Sequence, residues 1–276
     1  MQQPELEDLR YATEPVDGAE GAQIAVLTLD RPDARNAYSE AMVASLCAAL
    51  DRAEADASVR CLVLTGAGAA FSAGGDLRRM RDQSGMFAGG PVALRRAYID
   101  NIQRVPRRIA LCDKPIVAAI NGPAIGAGLD LACMCDLRVA AAGAKLGSTF
   151  VKVGLVPGDG GAYLLARTVG FPRALEMMLS GRVLLAEEAL AIGLVHRVVP
   201  AEALAAAARE LAFGIAKNPP FAVQLTKRAA YRAWDDGFHV ALEQAAAYQG
   251  MVQKTADHQE AVAAFLERRE PTFRGE

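Results

Sequence analysis

The segment from Ile120 to Asp136 limits what this chain can fold into more than any other: Ile120-Asn121-Gly122-Pro123-Ala124-Ile125-Gly126-Ala127-Gly128-Leu129-Asp130-Leu131-Ala132-Cys133-Met134-Cys135-Asp136. It follows an apolar run, Pro115 to Ile120, that reads as a short buried strand bounded by turn formers. Three glycines within seven residues let the backbone turn sharply and approach a neighbour closely. From about residue 127, with Leu129 to Met134 as its apolar opening, the pattern predicts a helix. A helix start presents unpaired N–H groups and the positive end of the macrodipole, which suits a negative oxygen. Asp130 lies three residues past Ala127 on the same face, and helical side chains lean towards the N-terminus, so its carboxylate points at that donor end.

A glycine turn ahead of a helix commonly does no more than close a tight connection. Here a second one, Ala70-Phe71-Ser72-Ala73-Gly74-Gly75-Asp76-Leu77, follows another predicted strand, Arg60 to Leu64. Two such units can aim main-chain N–H groups at one oxygen from two sides, the layout of an oxyanion hole. Gly66-Ala67-Gly68 suggests a dinucleotide fingerprint, but its third glycine position holds Phe71, which excludes that reading.

The rest of the 276-residue chain fits a core carrying these turns. It is 52% hydrophobic, enough for a sizeable interior, and 30 basic against 32 acidic residues give a formal charge of −2. That balance argues against a nucleic-acid binder and leaves any phosphorylated ligand to a local basic cluster. Five cysteines without framework spacing suggest a reducing compartment, and Cys133 and Cys135 face different sides of their helix, unlike metal ligands. No apolar run reaches membrane-span length, and residues 1–20 lack the apolar core of a secretory signal. The expectation is a cytoplasmic protein without a membrane segment.

Along the chain, residues 1–20 read as a loose arm. Gln23 to Leu29 reads as a strand, and Ser39 as the N-cap of a helix to about Asp56. Pro91 opens a helix that Pro106 kinks or ends. Strands are expected at 115–120, 137–141 and 194–199, with helices to Thr168, over 172–179 and over 187–192. After Pro200 the pattern is helical throughout: 201–216, 219–233, 237–253 and 257–269. A helical tail this rich in apolar positions needs a partner surface.

From about residue 21 to the end the chain resembles the crotonase (enoyl-CoA hydratase/isomerase) family. The matching stretches are Asn36-Ala37, VRCLVLTGAGAAFSAGGDL (59–77), KPIVAAINGPAIGAGLDLACMCDLRVA (114–140), VGLVPGDGGAYLLARTVGFPRALEMMLSGR (153–182) and EEALAIGLVHRVVP (187–200). The resemblance implies an α/β fold: a crotonase-like spiral of ββα repeats over 21–200, holding an acyl-CoA site, and a C-terminal helical oligomerisation region over 201–276. It implies a homotrimer or dimer of trimers, an acyl-CoA thioester as substrate, and no cofactor beyond the coenzyme A that arrives with it.

Carried over residue by residue, the resemblance makes the backbone N–H groups of Gly75 and Ala127 the oxyanion donors. Family hydratases use two glutamates twenty residues apart; here the first position is Asp130 and the second is Phe150, which cannot transfer a proton. Asp159 is the nearest replacement, one residue past the position, Gly158, where some family isomerases and dehalogenases carry an aspartate. It also reads as the N-cap of the following helix, the plainer of its two roles. The resemblance also places coenzyme A near Ala34, Arg35, Asp76, Leu77, Arg78 and Lys227. The leading expectation is an enoyl-CoA hydratase with Asp130 as general acid–base. The alternatives are a 3,2-enoyl-CoA isomerase using one carboxylate and a non-catalytic acyl-CoA binding protein.

Overall fold

The computed structural model describes residues 5–276. In chain order the elements are β1 Leu9–Pro15, β2 Gln23–Leu29, α1 Glu40–Ala55, β3 Val59–Gly66, α2 Leu77–Arg81, α3 Pro91–Asp100, α4 Arg104–Ala110, β4 Ile116–Ile120, β5 Ala124–Ile125 and α5 Ala127–Met134. They continue with β6 Leu137–Ala141, β7 Lys145–Gly147, α6 Gly161–Val169, α7 Phe171–Ser180, β8 Val183–Leu185, α8 Ala186–Ala191 and β9 Arg197–Val199. Four helices finish the chain: α9 Leu204–Ala216, α10 Pro220–Asp235, α11 Phe238–Val252 and α12 Ala256–Glu267.

Six strands form the main sheet in the order β1-β2-β3-β4-β6-β9, and β5-β7-β8 form a small second sheet. All neighbours from β2 to β9 are parallel. Successive turns of the chain give one strand to the large sheet, a short one to the small sheet, then a helix, as in β4-β5-α5. That is the expected spiral. Strand β4, Ile-Val-Ala-Ala-Ile, is buried at every position because helices cover both faces of a parallel sheet. One core lies between the sheet and α1, α4 and α5; the other lies under α9.

Several expectations are corrected. Residues 9–15 are not a loose arm: β1 pairs antiparallel with β2 over its whole length, from Leu9 opposite Leu29 to Pro15 opposite Gln23. Only Leu9 of β1 is buried, so main-chain pairing along the sheet edge forms this strand and the side-chain pattern shows little of it. Residues 1–4 of that expected arm lie outside the described residues. The last strand is three residues long, because Leu194 and Val195 enter the core as an irregular segment. The helical region is also not uniform. Helix α9 closes the sheet of its own chain with Leu204, Ala208, Ala212 and Ala216 spaced four apart. By contrast, α11 buries no residue, and Trp234, Phe238, Phe265 and Leu266 stand exposed.

Candidate active site

The two glycine turns leave the same edge of the sheet, from the C-terminal ends of β3 and β4, and lock together. Ser72 donates its N–H to Pro123 O (3.1 Å) and accepts from Ile125 N–H (3.0 Å). The fit leaves no room for side chains. A Cβ on Gly128 would lie 2.2 Å from Ser72 O, and one on Gly74 2.4 Å from Ile125 O. Gly74 at φ +82° and Gly126 at φ +56° also need the left-handed region. The segment before α1 fixes the first turn: Asn36 donates to Ala67 O and Ala70 O, Ala73 N–H donates to Arg35 O, and Tyr38 N–H to Gly74 O.

Gly75 and Ala127 line one cleft. Neither amide donates to an acceptor among the described residues. Ala127 is the first residue of α5, so its N–H is an orphan of the helix start. The rest of the lining is largely apolar and includes Met80, Ile102, Phe150 and Leu155. Phe150 stands near Gly126, its ring about 3.8 Å from where a Cβ would sit there.

Asp130 and Asp159 meet beside this cleft. They are 0% and 2% exposed, and none of their four oxygens has a hydrogen-bond partner among the described residues. Burial pushes Asp130 well above the usual carboxylate range, and the neighbouring charge of Asp159 pushes it further. Burial also raises Asp159, partly offset by its contact with Asp130. Two carboxyls brought together out of water hold one proton between them more tightly than either would alone. The capping reading of Asp159 is corrected: Gly160 is the N-cap of α6, at φ +99°, and no side chain caps that helix. Nor is Asp130 a satisfied helix-start carboxylate, since it accepts no backbone N–H.

The coenzyme A candidates divide. Ala34 and Arg35 end the loop that hydrogen-bonds the first turn, and the guanidinium groups of Arg35 and Arg78 are exposed and form no ion pair among the described residues. Leu77 lines the cleft and is 57% exposed. Asp76 is committed to the fold. Its carboxylate caps α2 through Arg78 and Arg79 N–H and pairs with Arg31 at 3.0 Å. The placement of Lys227 is a correction. Its Nζ donates to Asp136 Oδ2 at 2.7 Å and to Lys114 O at 3.0 Å. Asp136 also receives Ile116 N–H, at the N-terminal end of β4, so Lys227 sits at the sheet edge opposite the glycine turns. A lysine on a helix gives no sequence sign of the largely buried acid it will meet.

Three neighbours of the pair escaped the sequence reading. Tyr38 is 1% exposed with an unpartnered hydroxyl, and burial followed by the charges of Asp159 and Asp130 holds its pKa well above normal. A Cβ on Gly161 would lie 2.0 Å from Asp130 Oδ2. The ring of Tyr98 fills the space beside Gly158, where a Cβ would come within 2.8 Å of it. The only available signal was adjacency, Tyr38 following Asn36-Ala37 and the glycines flanking Asp159.

Comparison with known proteins agrees with this geometry. The family model for enoyl-CoA hydratase/isomerase matches residues 19–276. The 1,2-epoxyphenylacetyl-CoA isomerase of Escherichia coli is 39% identical, over 91% of this chain and 95% of its own length. The 2,3-dehydroadipyl-CoA hydratase of the same organism is 34% identical, over 92% and 96%. The crystal structure of an enoyl-CoA hydratase from Bacillus anthracis superposes with a TM-score of 0.88 at 33% identity, covering 96% of this chain and 99% of that one. With the spiral fold and the paired glycine turns in place, this chain belongs to the enoyl-CoA hydratase/isomerase family of acyl-CoA enzymes.

Proposed function

We propose that this enzyme adds water across the double bond of a 2-enoyl-CoA thioester, with Gly75 and Ala127 N–H holding the thioester oxygen and the Asp130–Asp159 pair moving the protons. The observation that carries the reading is the buried, otherwise unpartnered carboxylate pair beside two free main-chain donors. It supplies a second carboxylate despite Phe150. Asp159, the less perturbed acid, takes a proton from water as the oxygen bonds to C3. Charge then develops on the thioester oxygen, where each fixed N–H is worth about 3 kcal/mol. Asp130, the stronger proton holder, delivers its proton to C2. Afterwards the proton gained by Asp159 passes to Asp130, and the starting state returns with one water consumed.

The depth of the pair favours a second reading. A single proton shared out of water can also shuttle between C2 and C4, shifting a double bond from position 3 to 2 without a water. Incubating the enzyme with crotonyl-CoA and, separately, a 3-enoyl-CoA in H₂¹⁸O separates the two. Label in a 3-hydroxyacyl product supports hydration; a 2-enoyl product without label makes the enzyme an isomerase. Asp130→Asn lowers kcat about a hundredfold or more in either case, and unchanged turnover removes the proton-transfer role.

The same reading sets the partners. Coenzyme A enters with the substrate, no further cofactor takes part, and Arg35 and Arg78 supply charge for its phosphates. The exposed apolar residues of α10 to α12 support assembly into a homotrimer or a dimer of trimers. Five buried free thiols, those of Cys61, Cys133 and Cys135 pushed up to about 12 by burial, support a reducing cytoplasmic setting. No described helix is long and apolar enough to cross a membrane.

A further inference from the structure

Of the side chains lining the cleft, only Tyr98, Thr149 and Asp159 carry an oxygen or nitrogen, among the described residues. Tyr98 is the one whose position is built from both sides. Its ring packs on the turn that carries Asp159: a Cβ on Gly158 would come 2.8 Å from its Cε1 and 3.3 Å from its Cδ1. Gly158 needs no positive φ, so the space beside it, rather than its backbone, is what the ring uses. Five residues on, Gln103 Nε2 donates to Gly158 O at 2.8 Å. The 98–103 segment is thus tied to the Asp159 turn twice, once by packing and once by a hydrogen bond. Met86, Phe87 and Ile102 pack behind the ring, fixing it from the other side. The hydroxyl itself has no hydrogen-bond partner among the described residues, although the ring is half-buried.

We propose that the Tyr98 hydroxyl faces the reacting carbon and donates a hydrogen bond to the oxygen that becomes the C3 hydroxyl, holding the water between itself and Asp159. This rests on the hydratase reading. The phenol keeps its proton throughout: burial and the nearby Asp159 both hold its pKa above the ordinary tyrosine value, so it is a donor across the working range. The water then gives one proton to Asp159, accepts a hydrogen bond from Tyr98, and directs a lone pair at C3. A held water is needed for addition and not for a double-bond shift, so Tyr98 separates the two chemistries of the shared carboxylate pair.

The test is Tyr98→Phe in the full-length enzyme, which keeps the ring that packs on Gly158. Expected are a tenfold or larger loss in kcat for hydration of crotonyl-CoA, the same loss for dehydration of 3-hydroxybutyryl-CoA, and binding of butyryl-CoA within twofold of wild type. Any 3-to-2 isomerisation by the wild type stays within twofold. Gly158→Ala, which displaces the ring while leaving the hydroxyl, lowers hydration as well, and circular dichroism confirms that both variants fold. Hydration by Tyr98→Phe within twofold of wild type overturns the assignment and leaves the hydratase reading intact. A wild-type enzyme that hydrates no enoyl-CoA overturns both.

Discussion

Gly161→Ala tests whether the Asp130 carboxyl works where the fold holds it. The added methyl carbon would lie 2.0 Å from Oδ2, 2.2 Å from Cγ and 2.2 Å from Oδ1 of Asp130. Ordinary contact begins near 3.4 Å, so the carboxyl or the start of α6 must yield by about 1.4 Å. Gly161 is helical without a positive φ, so the substitution adds no backbone strain. The cost is overpacking in a filled interior, about 1–3 kcal/mol, or a fall in Tm of about 2–4 °C for each kcal/mol in a chain of this size. The catalytic cost is larger, because a one-ångström misplacement of a reacting group costs about a hundredfold in rate. The assay is kcat on an enoyl-CoA beside calorimetric binding of butyryl-CoA: kcat falls about a hundredfold while affinity changes little, since Gly75, Ala127 and the cleft wall are untouched. A folded Gly161→Ala enzyme with near-normal kcat would show that the position of Asp130 is irrelevant to the chemistry and refute the proton-transfer role.

Asp159→Asn should lower kcat as severely as Asp130→Asn, and the double variant should be little worse than either, because residues acting as one unit are not additive; independent, multiplying losses measured by steady-state kinetics would break the pair. Both carboxyls hold protons more tightly folded than unfolded, so wild-type stability declines as pH rises from the ordinary carboxylate range towards their raised values. Asp130→Asn removes an ionisation from that window; its urea midpoint should match wild type near pH 4 and exceed it increasingly towards pH 8, and a constant difference would count against the shift. Lys227→Met should cost about 1–3 kcal/mol, because Asp136 loses its counter-ion and keeps only the Ile116 N–H and Tyr231 hydroxyl as donors, while leaving the KM for acyl-CoA near normal; a large rise in KM without loss of stability would return Lys227 to the ligand. Replacing Trp234 and Phe238 with serine should shift the protein towards monomers in analytical ultracentrifugation, and an unaltered oligomer would place the interface elsewhere.

What the sequence determined by itself lies in short-range patterns. Gln23–Leu29, Leu137–Ala141 and the Ser39-capped helix were legible to the residue, because alternation, apolar runs and capping chemistry act within a few positions. The glycines at 74, 75, 126 and 128 announced two tight turns, and the motif resemblance joined them into one site. Edge strand β1 was not legible, since its register is written in the main chain of β2 and its side chains face mostly outwards. Asp159 could be read locally as a cap; only the packing of α6 against α5 turned it from its own helix towards Asp130, twenty-nine positions away. Lys227 had the charge for a phosphate and met Asp136 instead, ninety-one residues earlier. Turns and caps follow from neighbours in sequence, whereas the state of a buried charge follows from which distant groups share its desolvated space, and that was settled only when the sheet, α5, α6 and α10 closed around it.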